Sequence, residues 1–489
     1  EKIQCNVRQD ESIRCTNCAK RCQRTEVTVL AEQAIQGRFI LAPCEKGAVT
    51  DPQQLRWVLK QHKALDRRHP NFVRTHCEKV FAFQAGETPR PVVETSLTKA
   101  ARRLKRLFRP APKNPVTQVG IPRTLNLWRY APFFNGYLNM ILAGKALVRW
   151  SACTSKRLWN QGSHYNCVDL CFPGKYTHAH VCDLLDKGVD LIFNPALVSL
   201  DSGGATHQGA AACPVAMANP DVVKAAFTTT DDVFMKNKTQ YHAPVLHMNS
   251  PDLFDRQLFV FSRSVFGTSR KRHAQALRQG WNSYTRFYQD LQTRAGKTLN
   301  QLIDQNRVGI LFLGRPYHYD PGLHHGVPEQ LQKRGYPIFT IESLPRNKAF
   351  LNRIFAQDLA GQHVSDPFDI RDVWKHSHSE NTNRKIWAAK VAARIPHLAV
   401  VDFLSFRCGP DAAALHVIEQ ICRCSKTPYF AFHDMDQNKP DGSLKIRIET
   451  IDHYLKNYGR RLASGPSPVE CQIAADTATT MIEPTLHLL

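Results

Sequence analysis

The sequence predicts an α/β protein with two doubly wound lobes that face one cleft, preceded by a small Cys-rich domain. From Thr117 onward, short apolar runs alternate with amphipathic stretches, which is the pattern of parallel strands covered by helices. The stretch HLAVVDFLS at residues 397–405 is mostly apolar, as expected of a strand covered on both faces. Near the start of the chain, the cysteines of CTNCAKRC have the spacing of a metal site.

The length of 489 residues is enough for about two to four domains. Five segments are expected: a Cys-rich metal- or cluster-binding segment (1–50), a basic helical linker region (51–115), a first lobe with a helical insertion (116–300), a second lobe (301–462) and a flexible tail (463–489). No apolar run reaches the length of a membrane span and the N-terminus is no signal peptide, so we expect a cytoplasmic protein without a membrane partner. Because the sequence starts at Glu1 rather than Met, we expect it to be trimmed or cut from a longer product.

The formal net charge of +23 indicates an anionic partner, such as a phosphate-bearing cofactor, nucleic acid or an acidic protein. Nucleic acid is the least expected of these, because no known nucleic-acid-binding module is apparent. The basic run at residues 102–113 is more simply a solvated helix face and linker. The chain has neither a GxxxxGK[ST] loop nor a GxGxxG motif after a strand, so nucleotide energy would have to come from another domain or protein.

The elements of the first lobe follow from the change between apolar runs and helical periodicity. In chain order they are the strand TQVGIPR, the helix LWRYAPFFNGYLNMILAG, the strand KALVRW, the helix TSKRLWNQG, the strand YNCVDLC, the helix KYTHAHVCDLLDKG and the strand VDLIFNP. Residues 220–300 are predicted to be mostly helical, because apolar residues recur at a spacing near 3.6 in RHAQALRQGWNSYTRFYQDLQ.

The second lobe repeats this rhythm. Its predicted elements are the strand in RVGILFLGRPYHYD, the helix HHGVPEQLQKRG, the strand YPIFTIE, a helical stretch to about residue 360, the helix NTNRKIWAAKVAAR, the strand before Cys408, the helix DAAALHVIEQICR, the strand TPYFAFHD and a last helix near IETIDHYLKNYGRR. Cys408 therefore lies just past the carboxyl end of a strand, where open α/β sheets bind their ligands.

The first candidate site is the N-terminal cysteine group. Cys15, Cys18, Cys22 and Cys44 are spaced C-x2-C-x3-C-x21-C. Four thiolates at such spacing suit a tetrahedral zinc ion or one [4Fe-4S] cluster. The spacing does not separate these two, and four ordinary thiols are the remaining alternative.

The second candidate site combines Cys171, Cys213 and Cys408, which are far apart in sequence. Cys171 and Cys408 each lie between a predicted strand and a helix, and Cys213 lies in a loop beyond the next strand. Three cysteines on loops of two facing lobes could ligate one cubane and leave its fourth iron open to substrate. By spacing alone, ordinary buried thiols are the simpler interpretation.

The third candidate is the stretch GRPYHYDPGLHHGVPE at residues 314–329, again at a predicted strand end. Arg315, His318 and His325 could anchor an anion or transfer a proton, and Lys175 could do the same near Cys171. The alternative is a structural turn whose polar groups are all satisfied.

Several long motifs in order resemble one family. They are GIPRTLNLWRYAPFF, CFPGKYTHAHVCDLLDKGVDLIFNP, CPVAMANPDVVK, FLGRPYHYDPGLHHGVPE, SENTNRKIWAAK, SFRCGPDAA and TPYFAFHDMDQNKPDGSLKIRIETIDHYL. Together they look like the activase-related portion of the large 2-hydroxyacyl-CoA dehydratase activase-like (BadF/BcrA-type) proteins. That portion is similar to the D-component, cluster-bearing subunits of 2-hydroxyacyl-CoA dehydratases, to benzoyl-CoA reductases and to double-cubane cluster proteins. The resemblance covers roughly residues 12–462.

The resemblance implies Rossmann-like lobes with Cys171, Cys213 and Cys408 as the ligands of a [4Fe-4S] cluster in the cleft. It also implies an ATP-dependent activator with the acetate/sugar kinase–Hsc70–actin fold and its own iron–sulfur cluster, which would drive one electron onto this chain. The expected protein is therefore an oxygen-sensitive iron–sulfur dehydratase or reductase of an anaerobe, with an acyl-CoA thioester as the expected substrate. The dehydratases use two cluster subunits, so a dimer is one expectation. The chain has no separate CoA motif.

Two alternatives stay open. One is a double-cubane cluster protein that reduces small molecules, which needs more cluster-facing thiols than the three assigned to the cleft. The other is a non-catalytic scaffold or maturation factor with zinc or an iron–sulfur cluster in its N-terminal segment and an anionic partner on its basic surface.

Overall fold

A computed structural model of the chain describes residues 3–8, 13, 15, 17, 24–31, 34–42, 45–83, 117–144, 146–166, 168–202, 209–376, 378–436 and 441–464. The chain divides into two compact units. The first comprises residues 1–70 and 155–157, and the second comprises residues 71–154 and 158–489. The finer segment boundaries expected from the sequence stay predictions.

The described part of the first unit holds an antiparallel sheet followed by helices. Its strands β1 (Ile3–Arg8), β2 (Thr25–Ala31) and β3 (Ala34–Leu41) pair in the order β1-β2-β3. A single turn, α1 (Glu45–Ala48), and the longer α2 (Pro52–Arg68) come next. Asp51 caps α2 by accepting hydrogen bonds from the backbone N–H groups of Gln53 and Gln54. The residues of β2, TEVTVLA, are rich in the β-branched side chains that favour strands.

The second unit begins with a helix and a parallel sheet. Its first elements are α3 (Phe72–Lys79), β4 (Gln118–Ile121), α4 (Leu127–Leu142), β5 (Leu147–Trp150), α5 (Lys156–Gly162, whose first residues belong to the first unit), α6 (Phe172–Asp186), β6 (Leu191–Phe193), β7 (Ala196–Ser199), α7 (Pro214–Thr228), α8 (Val233–Lys236), β8 (Gln240–His242), β9 (Val245–His247), α9 (Pro251–Phe266) and α10 (Arg270–Asp304). Four of the strands form a parallel sheet in the order β5-β4-β6-β8. The other two, β7 and β9, pair in a separate two-stranded parallel sheet.

A second parallel sheet follows. Its elements are β10 (Gly309–Leu313), a 3-10 turn (Pro316–Tyr319), α11 (Pro321–His324), α12 (Val327–Lys333), β11 (Ile338–Thr340), a 3-10 turn (Ile341–Ser343), α13 (Lys348–Ile354), α14 (Ala356–Ala360), α15 (Glu380–Ala393), β12 (Leu398–Ser405), α16 (Gly409–Ala412), α17 (Leu415–Cys424), β13 (Tyr429–Met435) and α18 (Asp441–Ser464). The strand order is β11-β10-β12-β13, and all pairs are parallel. Every residue of β12 is buried, as the apolar run at residues 397–405 predicted.

The α/β class predicted from the sequence is confirmed by these two parallel sheets and their helices. One predicted strand is wrong. The stretch YNCVDLC contains the end of a 3-10 turn (Ser163–Tyr165) and, in its described residues, no strand. The backbone N–H of Leu170 donates to the carbonyl of Val168, a tight turn that an extended strand cannot make.

Helix α15 is unusual because all of its residues are buried. Its first turns carry the polar run ENTNRK, residues 380–385, whereas a surface helix would turn such residues to solvent. Buried polar groups need hydrogen-bond or ionic partners, so this run marks a polar network inside the second unit.

None of the helices in the described ranges combines the length and apolar character needed to cross a lipid bilayer.

A buried histidine makes the stability of the second unit depend on pH. His76 is fully buried, with its ring centroid 5.4 Å from that of Phe287 and 4.9 Å from that of Tyr319. Burial lowers the pKa of His76 to about 4, and the positive charge of Arg384 adds to this, while Glu342 opposes it. The pKa of His76 is lower in the folded state than in the unfolded state. Above pH 6.5 the ring is neutral in both states, so proton uptake does not affect stability. As the pH falls from 6.5 towards 4, the unfolded state takes up a proton first and the folded state is destabilised.

We therefore expect the free energy of unfolding to fall with pH in this window, by roughly 3 kcal/mol from His76 alone. His76→Phe should flatten this slope, since a phenyl ring fits the aromatic surroundings and takes up no proton. Urea unfolding at a series of pH values, followed by tryptophan fluorescence, measures the slope. The exposed His453→Gln is the control, and an equal slope in the wild type and His76→Phe would contradict the assignment.

Candidate functional site

Cys171, Cys213 and Cys408 lie directly before helices of the second unit. Cys171 precedes α6, Cys213 precedes α7, and Cys408 follows β12 and precedes the short α16. In each case a proline stands in the first two helical positions, where its missing N–H costs no hydrogen bond. The stretches CFP, CP and CGP thus share one local geometry: a thiol at the point where the chain enters a helix.

The three thiols line one cavity of the second unit. The cavity contains ≈ 380 Å³ of space free of protein atoms, including the part open to solvent. Its lining residues are Leu125, Asn126, Cys171, Cys213, Val215, Ala216, Arg315, Tyr317, Asn381, Arg407, Cys408, Gly409 and Pro410. No other cysteine among the described residues lines it.

No group of three or more His, Cys, Asp or Glu side chains in the described ranges is arranged to hold a single metal ion. The three thiols therefore do not form a mononuclear site. In an iron–sulfur cubane, by contrast, each cysteine binds a different iron, so the sulfurs lie on separate corners. The role of the three cysteines as cluster ligands stays a prediction.

The thiols are shielded from solvent. Cys213 and Cys408 are buried and Cys171 is half-buried. Burial raises the pKa of the Cys171 thiol, which Arg315 opposes, and burial raises the pKa of Cys408 to about 12, which Arg315 again opposes. Without a bound cation, these two groups are therefore neutral thiols at pH 7.

Arg315 supplies a buried positive charge to the cavity. It lies two residues after β10 and has an exposed fraction of 1%. Its Nε and Nη2 donate to Asp411 over 2.9 and 2.6 Å, and Nη2 also donates to Thr382 over 3.2 Å. Within the described part of the chain, its Nη1 makes no hydrogen bond, and the charge lies close enough to Cys171 and Cys408 to act on both thiols.

A network of charged side chains continues behind Arg315. Asp411 accepts a hydrogen bond of 2.8 Å from Thr382 and lies 3.5 Å from the ammonium group of Lys385. The ammonium group of Lys385 in turn lies 2.7 Å from Asp402. The four charged side chains of this network, those of Arg315, Asp411, Lys385 and Asp402, are all buried. Two positive and two negative charges balance, which is the condition for keeping ions inside a protein.

Ion pairs connect the loops that precede two of the thiols. Asp169 lies 2.5 Å from Lys175 and also pairs with Arg407, so it joins the loop before Cys171 to the loop before Cys408. Arg407 has a φ of 65°, in the left-handed region that a residue other than glycine rarely adopts. The residue with the strained backbone, Arg407, therefore also forms the ion pair with Asp169 that links the loop before Cys408 to the loop before Cys171.

The structure separates the four residues that the sequence suggested for substrate binding or proton transfer. Arg315 lines the cavity. His318 is fully buried behind it, where its Nδ1 accepts from the Arg315 backbone N–H and its Nε2 is 2.9 Å from the Ser405 hydroxyl. Burial, with the charge of Lys385, lowers the pKa of His318 well below its ordinary value, so its ring is neutral.

Lys175 and His325 do not line the cavity. Lys175 pairs with Asp169, and the Nε2 of His325 is 2.7 Å from the carbonyl oxygen of Asp436. Their assignment as catalytic residues stays a prediction, as does that of His318.

The N-terminal cysteine group lies largely outside the described residues. Cys15 is described and buried in the first unit, whereas Cys18, Cys22 and Cys44 fall in the ranges that the structure does not describe. Zinc or a [4Fe-4S] cluster at these positions stays a prediction.

Several lining residues were not singled out by the sequence, chiefly Asn126, Asn381 and Arg407. One signal could have pointed to Asn381. It is the polar run ENTNRK at the start of a helix whose later residues are mostly apolar. The run contains Asn381, Thr382 and Lys385, each of which reaches the cavity or the network behind it.

The comparison with known families agrees with part of the resemblance drawn from the motifs. Residues 118–344 match one family model. The family is described as the CoA enzyme activase uncharacterised domain (DUF2229). The match covers less than half of the 489 residues and includes Cys171, Cys213 and Arg315, but not Cys408. No curated protein matches the chain. The activase-related character is thereby supported, while similarity to BadF/BcrA-type proteins and to dehydratase D-components stays a prediction.

Proposed function

We propose that the second unit is the iron–sulfur component of an acyl-CoA dehydratase or reductase system, and that a separate ATP-dependent activator supplies its electron. The observation that carries the proposal is that Cys171, Cys213 and Cys408 line one cavity although they are 42 to 237 positions apart in the chain. The similarity of residues 118–344 to a CoA enzyme activase domain supports the connection to CoA chemistry.

The donor set of the cavity fits a [4Fe-4S] cluster. Thiolates are the ligands that such clusters use, and the Cys-ligated cluster is an anion. Arg315 offers a buried positive charge to it, and the amino ends of the two 15-residue helices α6 and α7 add the positive end of the helix dipole beside Cys171 and Cys213. Cys171, Cys213 and Cys408 would hold the cluster.

Bound there, a cluster with three cysteine ligands supplies one iron that can act as a Lewis acid and a site that can accept a single electron. The protein groups have separate tasks. Arg315 offsets negative charge, Asp411 fixes the guanidinium in place through two hydrogen bonds, and the apolar side chains of Leu125 and Val215 limit the entry of water.

The test is the metal content of protein purified without oxygen. We expect a brown protein with about four iron and four sulfide per cluster and an EPR signal after one-electron reduction. Protein that stays colourless after anaerobic reconstitution with iron and sulfide, with zinc as its stoichiometric metal, would overturn the proposal and favour a non-catalytic scaffold.

The activator is tested separately. An activator of the ATP-hydrolysing type should reduce the loaded protein only when ATP is present, and the EPR signal reports this directly. If the protein binds iron but the activator does not reduce it in the presence of ATP, the cluster part of the proposal would stand and the assignment of the partner would be wrong.

A further inference from the structure

A tyrosine in the lining of the cavity has a hydroxyl group without a protein partner. Tyr317 lines the cavity together with the three thiols, and its exposed fraction is 5%. Within the described ranges, its hydroxyl makes no hydrogen bond. By contrast, the buried Tyr288 donates to the carbonyl oxygen of Arg129 over 2.8 Å. Tyr319 donates to the carboxylate of Glu342. A buried hydroxyl without a partner loses its hydration without replacement, so it is expected where a ligand supplies the acceptor.

The fold itself holds the ring of Tyr317 in place. The residue lies in the 3-10 turn Pro316–Tyr319, and His318 stabilises this turn by accepting a hydrogen bond of 3.0 Å from the backbone N–H of Arg315. The ring of His318 also packs edge-on against that of Tyr317, with 4.7 Å between the ring centroids. The ring is therefore positioned by its neighbours in the chain and needs no ligand to order it.

The hydroxyl lies within electrostatic reach of two thiols. Burial raises the pKa of Tyr317 well above its ordinary value, and Arg315 opposes this. Negative charge on Cys408 and Cys171 raises this pKa further. The phenol is therefore protonated at pH 7 and available as a hydrogen-bond donor. Because the Nη1 of Arg315 makes no hydrogen bond in the described part of the chain either, two donors beside the thiols await acceptors.

We infer that Tyr317 donates a hydrogen bond to a sulfur atom of the cluster and thereby makes the cluster easier to reduce. The inference rests on the proposed function, since it requires a cluster held by the three thiols. Hydrogen bonds to the sulfurs are among the factors that set the reduction potential of an iron–sulfur cluster. Reduction adds negative charge, and a hydrogen bond to a more negative acceptor is stronger, so the bond stabilises the reduced state more than the oxidised state. Tyr317 therefore raises the reduction potential without binding iron itself.

The test is the reduction potential of the iron-loaded protein, with Tyr317→Phe as the variant that removes only the hydroxyl. Titration with titanium(III) citrate, which supplies the single electron, gives the potential when it is followed by EPR. We expect reduction of the variant to be about tenfold less favourable, equivalent to about 59 mV for one electron, at unchanged iron content. Proton ENDOR of the reduced proteins in H₂O and D₂O should show one exchangeable proton fewer near the cluster of the variant.

Three results would overturn the inference. An equal or higher potential in Tyr317→Phe would show that the hydroxyl does not favour reduction. An unchanged set of exchangeable protons would show that it does not donate to the cluster. A variant that binds no iron would give the hydroxyl a role in holding the cluster instead of tuning it. Wild-type protein without iron would refute the proposed function itself, so that failure is distinguishable from these three.

Tyr319→Phe is the matched control, because Tyr319 lies in the same turn and is fully buried but does not line the cavity. It should leave the potential unchanged and lower the free energy of unfolding of iron-free protein, since Glu342 loses a donor. Tyr317→Phe should leave that free energy unchanged or raise it, because its hydroxyl has no protein partner to lose. Equal losses of stability in the two variants would assign the hydroxyl of Tyr317 a structural role and contradict the inference.

Discussion

Replacing Cys408 by serine is expected to remove about four iron atoms per chain from anaerobically reconstituted protein and to leave the fold intact. The serine hydroxyl is a poor replacement for a soft thiolate as a ligand of iron in a cluster. The substitution itself is nearly isosteric, and Cys408 lines the cavity at the start of α16 instead of lying within β12. Cys171→Ser should have the same effect. Iron and sulfide analysis with circular dichroism of the same samples measures both parts of the prediction.

Two control variants sharpen this result. Cys422→Ser changes a fully buried thiol of α17 that does not line the cavity, so it should keep its iron. Cys167 lies outside the described residues but only four positions before Cys171. If Cys167→Ser also lost its iron, a fourth cysteine would ligate the cluster and the open iron would be refuted. Full iron content in Cys408→Ser and Cys171→Ser would refute the cavity as a cluster site.

Much of the fold was predictable because its signals are local. The almost continuously apolar run before Cys408 has the pattern of a strand covered on both faces, and β12 is such a strand. The 3.6-residue periodicity of RHAQALRQGWNSYTRFYQDLQ, residues 272–292, predicted a helix, and α10 (Arg270–Asp304) covers this range. The same rules failed for YNCVDLC, where a strand-like composition gave no sign of the turn at Leu170. Turns of this kind depend on how the chain must reach its next helix, which local composition does not encode.

The candidate site was predictable only in part for a related reason. The cysteines were visible because thiols are few, and Arg315 was visible because it follows a strand in a turn-rich motif. Asn126 and Asn381 are 255 positions apart, and nothing in either neighbourhood predicts that their amides pair. The polar start of α15 reads as a solvated face under the ordinary rule for helices, and only the complete burial of the helix reverses that interpretation.

Asp411→Asn is expected to lower the free energy of unfolding of the second unit by about 3–5 kcal/mol, because it leaves buried positive charge without compensation. Burial alone would raise the pKa of Asp411, but Arg315 and Lys385 hold it well below its ordinary value. With a depressed pKa in the folded state, the stabilising charge is fully present above the ordinary carboxylate pKa and is lost only in more acidic solution. The measurement at pH 7 therefore compares an ionised carboxylate with a neutral amide of the same shape. Urea unfolding of the two proteins gives the difference.

Asp434→Asn is the matched control, since Asp434 also makes two hydrogen bonds to one arginine, Arg447, at 2.8 and 3.0 Å. Its side chain is 55% exposed, so water replaces the lost charge interaction and the expected cost is below about 1 kcal/mol. Equal losses in the two variants would show that burial of the network does not set its energy.

The double variant Arg315→Met/Asp411→Asn separates the stabilising role of Arg315 from its role towards the thiols. It removes one charge of each sign, so Lys385 and Asp402 remain as a balanced pair and part of the stability lost in Asp411→Asn should return. The same variant takes away the positive charge that acts on Cys171 and Cys408, so its cluster should bind more weakly or become harder to reduce. Recovery of stability together with impaired cluster binding or reduction would mean that Asp411 holds a buried cation in place for the ligand in the cavity. If stability returns and the cluster binds and is reduced as in the wild type, the network contributes to the stability of the fold alone.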